Sequence, residues 1–295
     1  MPSPLQQIYH PVFKEKEIKF YVKRDDLIHS EISGNKWRKL KYNLEEARSQ
    51  DIDAILTFGG AFSNHIAATA AVGKKEGFKT IGIIRGEETS KNNSTLSLAK
   101  QSGMRLHFVS REDYKLKDTS EYLEKLSRQF GDVYIIPEGG ANTVGVKGSE
   151  EIGKEIDIDF HYVCCSLGTG TTFSGIVNSI EKNQYAIGFS ALKGEDKLTE
   201  VVQQFEKVKR NNWHISFEYH FGGYARRSVE IEDFIKSFRA ETGIPLDPIY
   251  TGKMAFGIVD LAKKDYFKRG STVIMVHTGG LQGIEGYNNR YGASL

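Results

Sequence analysis

No apolar run in this sequence approaches the roughly 18 residues needed to cross a bilayer. The opening stretch, MPSPLQQIYHPVFKEKEIKF, has no apolar core of the kind a signal peptide carries. A soluble, cytoplasmic protein with no membrane partner is the expectation. Cysteine is scarce: Cys164 and Cys165 are the only two, and they are adjacent. Neighbouring residues make a poor disulfide pair, so nothing points to an oxidising compartment. An excess of one charge is lacking too, with 40 basic against 38 acidic residues and a net charge of +2. That argues against a nucleic-acid partner, which a concentrated basic surface would betray. The eight histidines show no paired ligand spacing, so no metal is expected. No GK[ST] completes a Walker motif. No G-x-G-x-x-G follows the first strand with an acidic residue about 20 positions on, which disfavours a dinucleotide dehydrogenase.

What the sequence does contain, from Ile52 onward, is an alternation of short β-branched runs with longer segments of helical period. DAILTFGG (53–60), KTIGIIRG, RLHFVS and DVYIIPEGG read as strands, separated by helices through HIAATAAVGKKEG, STLSLAKQSG and SEYLEKLSRQFG. Gly77, Gly103 and Gly131 stand where those helices should stop. After Ala141 the pattern resumes. Helices are read at TVGVKGSEEIGKEI, TFSGIVNSIEKN, DKLTEVVQQFEKVKR and RSVEIEDFIKSFRAETG. Strands are read at HYVCCSLGTG, QYAIGFSAL, ISFEYHFGG and TVIMVHTGG. Repeated βαβ units imply parallel sheets covered by helices. The 295 residues suffice for an α/β chain with two open parallel-sheet domains, helices on both faces, and a ligand cleft between them. The expected boundaries are 1–46 with 150–295 for a large domain and 47–149 for a smaller one inserted in it.

Several loops carry candidate chemistry. CSLGTGTTFSG (165–175) follows an apolar strand and opens a helix. Gly168 and Gly170 let backbone N–H groups converge, Thr169, Thr171 and Thr172 add hydroxyls, and the helix N-terminus adds partial positive charge. That is a site for a phosphate monoester, although a strand-to-helix turn without a ligand has the same composition. Lys36, in SGNKWRKLKYNLEEA, stands in the first turn of a helix, where dipole and burial both lower a lysine pKa and favour imine formation. Spacing alone does not distinguish Lys36 from Lys39 or Lys41. In FGGAFSNHIAA (58–68), Ser63 and Asn64 stand at a helix start, where they serve equally as caps or as groups facing a substrate carboxylate and a cofactor ring oxygen. PEGGANTVG (137–145) and HTGGLQG (277–283) also follow carboxyl ends of strands, where parallel sheets bind ligands.

Together these segments resemble the pyridoxal-phosphate (PLP)-dependent aminocyclopropane-carboxylate deaminase and D-cysteine desulfhydrase family, of the tryptophan-synthase-β-like fold (PLP fold type II). The resemblance runs in order through VKRDDL (22–27), GNKWRKL (34–40), GGAFSNH (59–65), PEGGANTVG, GTGTT, DPIYTGKM (247–254) and HTGG. It implies that Lys36 is the Schiff-base lysine and that Gly168, Thr169, Gly170, Thr171 and Thr172 hold the cofactor phosphate. Asn64 is placed at the ring oxygen, Ser63 beside the substrate carboxylate and α-carbon, and His65 in the same substrate-binding turn. Tyr250 is placed near cofactor or substrate as an acid, Tyr224 as a second active-site tyrosine, Thr251 facing the pyridine nitrogen, and Thr278 in the last glycine turn. The partner implied is a small amino acid, and relatives of the fold are commonly homodimers.

Two positions separate activities within that family. Cyclopropane-opening members place glutamate after the motif tyrosine and leucine in the last glycine turn, whereas Thr251 and Thr278 are the desulfhydrase-like pair. A carboxylate at the pyridine nitrogen keeps it protonated and makes the ring a strong electron sink; a hydroxyl leaves it neutral. The expectation is therefore α,β-elimination giving, from D-cysteine, pyruvate, sulfide and ammonia. The alternatives are aminocyclopropane-carboxylate deamination and, in another class, a PLP-binding protein without turnover. Phe62 stands where assigned members carry glutamine, so the preferred substrate and its stereochemistry stay open.

Overall fold

The computed structural model describes residues 2–29, 32, 34–87, 93–194 and 197–295. The chain divides into two compact units, Met1–Asn35 with Ser149–Leu295, and Lys36–Gly148. The first boundary falls before the expected 46/47 because the helix that follows Asn35 hydrogen-bonds into the second unit, for example from Lys39 Nζ to Gly139 O and from Asn142 Nδ2 to Asn43 Oδ1.

The larger unit holds strands β1 (Leu5–Ile8), β2 (Lys19–Lys23), β7 (Tyr162–Leu167), β8 (Tyr185–Ser190), β9 (Trp213–Ser216) and β10 (Thr272–Val276), in the order β1-β2-β10-β7-β8-β9. Its helices are α1 (Pro11–Glu15), α8 (Glu151–Lys154), α9 (Thr171–Ser179), α10 (Lys197–Phe205), α11 (Val229–Thr242), α12 (Thr251–Lys263) and α13 (Gly283–Tyr291). Every neighbour pair is parallel except β1 with β2. An antiparallel edge strand on a parallel sheet was not anticipated; LQQI, with a single buried residue, gives little periodic signal. The central strand β10 is buried throughout, as a strand covered on both faces requires. Period-two alternation sends the two cysteines to opposite faces. Cys164 packs in a core with Phe20, Ile187 and Met254, and Cys165 in another with Phe173 and Ile176, so both remain thiols.

The smaller unit holds β3 (Ala54–Gly60), β4 (Lys79–Arg85), β5 (Arg105–Val109) and β6 (Tyr134–Ile136) in the order β5-β4-β3-β6, all parallel. Its helices are α2 (Asn35–Ser49), α3 (Asn64–Glu76), α4 (Ser94–Gln101), α5 (Arg111–Tyr114), α6 (Ser120–Phe130) and α7 (Thr143–Ser149), α2 and α7 each lending one end residue to the larger unit. Leu56 and Phe58 of β3 pack with Tyr114 and Leu126, while Ile84 packs with Ile66, Ala70 and Leu96. Gly77 and Gly131 close α3 and α6 with positive φ, as expected.

Two sequence readings change. The segment read as one helix over 143–156 is α7 followed by α8. The strand expected over 215–223 ends at Ser216, and the chain then makes a tight turn with positive φ at Phe221, Gly222, Gly223 and Ala225. The physical reason lies in α12: Lys253 Nζ donates to the carbonyls of His220 at 2.7 Å and Gly223 at 2.8 Å, so that backbone is committed to the turn. Asp196, where one helix reading began, and Ser33 of the GNK segment lie outside the described residues.

Candidate active site

In the larger unit the glycine loop and its neighbours form one set of contacts. Leu167 ends β7, and Gly170, at φ 81°, is the N-cap of α9 and makes no side-chain cap bond. The first turn of α9 therefore presents N–H groups that have no intrahelical acceptor. Thr169 and Thr171 bring their hydroxyl oxygens to 3.0 Å of each other. A Cβ on Gly168 would stand 3.1 Å from Tyr250 Oη, so that ring would have to give by a few tenths of an ångström to admit one. The donors are N–H and O–H groups with no carboxylate among them, a set that fits a phosphate monoester.

Two other glycine turns are tied to this loop. A Cβ on Gly34, at φ 51°, would stand 2.1 Å from Thr278 O, so the backbone passes the last glycine turn at closest approach. Asn35 N donates to Thr278 O at 3.2 Å, and Asn35 Nδ2 donates to Thr172 Oγ1 at 2.8 Å. The residue bonded to the start of α9 is thus the one that precedes Lys36 in the chain. Asn35 was missed from sequence, where it served only as part of the GNK motif.

The DPIYTGKM motif is a helix start. Asp247 Oδ1 accepts from the N–H groups of Ile249 and Tyr250, and Oδ2 from Thr251 N and, at 2.6 Å, from Thr251 Oγ1. The Thr251 hydroxyl hydrogen is therefore spent on Asp247, and its oxygen also accepts from Asp247 N at 2.9 Å. The Thr278 hydroxyl lies 3.4 Å from Ser166 Oγ, and that pair keeps a hydrogen to give. Tyr250 meets Tyr224 edge to face at 6.0 Å between centroids. His277 is buried; its Nε2 donates to Pro245 O at 2.7 Å and its Nδ1 accepts from Gly279 N, so it shapes the turn.

In the smaller unit Ser63 is the N-cap of α3, its Oγ accepting from Ile66 N at 3.3 Å, which leaves the hydroxyl hydrogen unused. Asn64 is half-buried and makes no side-chain hydrogen bond among the described residues. Phe62, 45% exposed, stands beside them. His65 is buried, and burial first, then the charges of Lys36 and Lys39, hold its imidazole well below the ordinary 6.5. Lys39 is anchored on Gly139 O at 3.0 Å. No cluster of metal-ligating side chains occurs among the described residues.

The family model of pyridoxal-phosphate dependent enzymes matches residues 2–279, and the chain belongs to that family. A Pyrococcus furiosus protein provisionally named 1-aminocyclopropane-1-carboxylate deaminase is 34% identical over 92% of this chain and 87% of its own. The Arabidopsis thaliana mitochondrial bifunctional D-cysteine desulfhydrase/1-aminocyclopropane-1-carboxylate deaminase is 30% identical over 96% of this chain and 77% of its own. A solved structure of an ACC deaminase homologue superposes with a TM-score of 0.83 at 31% identity, covering 98% of this chain and 93% of that one. The fold is that of PLP fold type II, the cofactor is pyridoxal phosphate, and the protein is a PLP-dependent enzyme of the lyase and deaminase group. No helix among the described residues is long and apolar enough to cross a membrane.

Proposed function

We propose that this enzyme catalyses α,β-elimination from a small β-substituted amino acid, with D-cysteine as the first substrate to test. For D-cysteine and water the products are pyruvate, hydrogen sulfide and ammonia. Pyridoxal phosphate, when bound, supplies an electron sink for the substrate α-carbon. The first turn of α9, with Gly168 to Thr172, binds the phosphate. Lys36 would hold the cofactor through its amine, and the same amine would take the substrate α-proton. Ser63 and Asn64 orient the substrate carboxylate and the ring oxygen, and Tyr250 serves as the acid, with Tyr224 backing its ring.

The observation that carries elimination over ring opening is the spent carboxylate. Asp247 makes four hydrogen bonds to the start of α12, and in this reading the Thr278–Ser166 hydroxyl pair, which keeps a hydrogen to give, is the group offered to the pyridine nitrogen. A hydroxyl leaves the ring neutral and the sink weak, which a good β-leaving group tolerates. The names of the relatives favour opening of the cyclopropane acid as the second reading. The test is a substrate panel: D- and L-cysteine, D- and L-serine, β-chloroalanine and 1-aminocyclopropane-1-carboxylate. Pyruvate and sulfide from a cysteine support elimination. 2-Oxobutanoate from the cyclopropane acid alone overturns it.

A further inference from the structure

Lys253, in the DPIYTGKM motif, stands three residues after Tyr250 and is 2% exposed. One face of α12 is laced to the segment that follows β9. Asp260 Oδ2 accepts from Tyr219 Oη at 2.7 Å, and the Phe256 ring meets Phe221 edge to face at 5.0 Å. Lys253 Nζ donates to His220 O and Gly223 O, and Tyr250 meets Tyr224 edge to face. Positions 250, 253, 256 and 260 recur at the three- and four-residue spacing of a single helical face. The four contacts therefore form one seam, in which the segment runs antiparallel to the helix and Lys253 is the rung next to the tyrosine pair.

A buried cation is costly unless it is hydrogen-bonded, and this one spends its bonds on a turn that needs holding. Phe221, at φ 48°, and Ala225, at φ 50°, adopt the left-handed conformation that non-glycine residues seldom occupy. Such backbone persists only where its surroundings over-determine it. Tyr291 Oη fixes the far side of the turn by donating to Ala225 O at 2.8 Å. Tyr219 and Phe221 fix the near side. Lys253 holds Gly223, the residue that precedes Tyr224. An ammonium has three hydrogens and a neutral amine two, so both carbonyls are served in either protonation state.

We propose that Lys253 is a positioning residue: by holding the His220–Gly223 turn it fixes Tyr224 against the Tyr250 ring, and so fixes the direction in which the Tyr250 hydroxyl gives its proton. The inference rests on the reading of Tyr250 as the acid, and goes beyond it by assigning the residue that aims that acid. In elimination from cysteine the Cβ–S bond breaks with its electron pair going to sulfur. The Tyr250 hydroxyl supplies the proton that completes hydrogen sulfide, and water returns a proton to the phenolate. Removal of the α-proton is the task of Lys36 in that reading and does not pass through the seam.

The test uses holoenzyme and a double-mutant cycle of Lys253→Met with Tyr224→Leu. Lys253→Met is expected to lower kcat for elimination about tenfold to a hundredfold, the scale of a slightly displaced catalytic group. PLP affinity and exchange of the substrate α-proton in D₂O should be undiminished. The double variant should turn over no more slowly than Tyr224→Leu alone, because without that ring Lys253 has nothing to aim. In protein labelled with 3-fluorotyrosine, the Tyr224 fluorine resonance, assigned by its loss in Tyr224→Leu, should shift or broaden in Lys253→Met. Native kcat in a Lys253→Met protein that is merely less stable would overturn the proposal. So would losses that multiply in the double variant, equal falls in elimination and α-proton exchange, or an unmoved fluorine resonance. Where Lys253→Met fails to fold, Gly223→Ala carries the same cycle, since at φ 108° a Cβ strains the turn and leaves Lys253 in place. Failure of the underlying reading looks different: Tyr250→Phe then keeps native kcat.

Discussion

Two of the strand–glycine–helix turns of this chain start alike and end differently. β7 runs through Gly168 into α9, whose N-cap is Gly170 with no side-chain bond to the helix. β3 runs through Gly59 and Gly60 into α3, whose N-cap Ser63 accepts from Ile66 N. An uncapped helix start keeps its N–H groups and partial charge for a ligand; a capped one has satisfied part of them with its own side chain. The α9 start thus has no side-chain cap on its N–H groups, whereas the α3 start is capped by Ser63 and offers side chains, namely the Ser63 hydrogen and the Asn64 amide. A glycine-rich turn is a phosphate site only when nothing in the chain fills it first.

That difference predicts opposite consequences of mutation in the two turns. The largest effect is expected at Ser63. Ser63→Gly should cost only a few tenths of a kcal/mol in stability and Ser63→Ala about 1 kcal/mol, since glycine is a tolerable cap. Both should lower kcat by about a hundredfold or more if the hydroxyl assists proton transfer. Full activity in the glycine variant, read by turnover beside urea unfolding, would reduce Ser63 to a cap. At Gly168 the order reverses. Valine there meets Tyr250 Oη, and overpacking of about 1–3 kcal/mol should appear as a tenfold to hundredfold loss of PLP affinity, measured by titration of the cofactor-free protein. Smaller again is Asn35→Ala, which removes the bond to Thr172. About 1 kcal/mol, or roughly fivefold in PLP affinity, is expected, with turnover at saturating cofactor changed less.

The sequence showed the glycine turns and not the bonds that join them. Gly34, Gly168 and Gly170 are visible because close approach and positive φ admit little else, and the β-branched runs between them announce parallel strands. The bond from Asn35 to Thr172 spans 137 residues, and no local pattern encodes it. Thr251 shows the same limit from the other side. The resemblance placed its hydroxyl in a motif, but four hydrogen bonds to Asp247, the last of them from that hydroxyl, emerge only from the turn itself. The turn after β9 escaped for a similar reason. ISFEYHFGG alternates as a strand should, and the Lys253 bonds that bend it come from a helix beginning some 30 positions later.

The smallest effects are those of pH, and they divide the two motifs between acid and alkali. Buried His65, beside the α3 turn, has its native pKa well below 6.5, while the unfolded chain titrates near that value. As pH falls through 6.5 the unfolded state takes up the proton first, so stability is lost on the acid side, and His65→Gln should flatten that arm. Buried Lys253, behind the Tyr250 turn, is pushed down to about 8 by burial, against the pull of Asp247, from an ordinary 10.5. Between those values the unfolded chain again binds more protons, so this group makes stability rise with pH, a rise complete near 10.5. Tyr266 and Tyr287, raised by burial to about 12, act oppositely: the native state keeps their protons longer, and their contribution is lost above an ordinary 10. The window from about 8 to 10 is therefore where Lys253 is read most cleanly. Urea midpoints there should climb with pH in the native protein and climb less in Lys253→Met, even though that variant is less stable throughout. An equal slope in both would mean that Lys253 stays charged in its turn. Its hold on the His220 and Gly223 carbonyls would then be that of a full ammonium at every pH in the window.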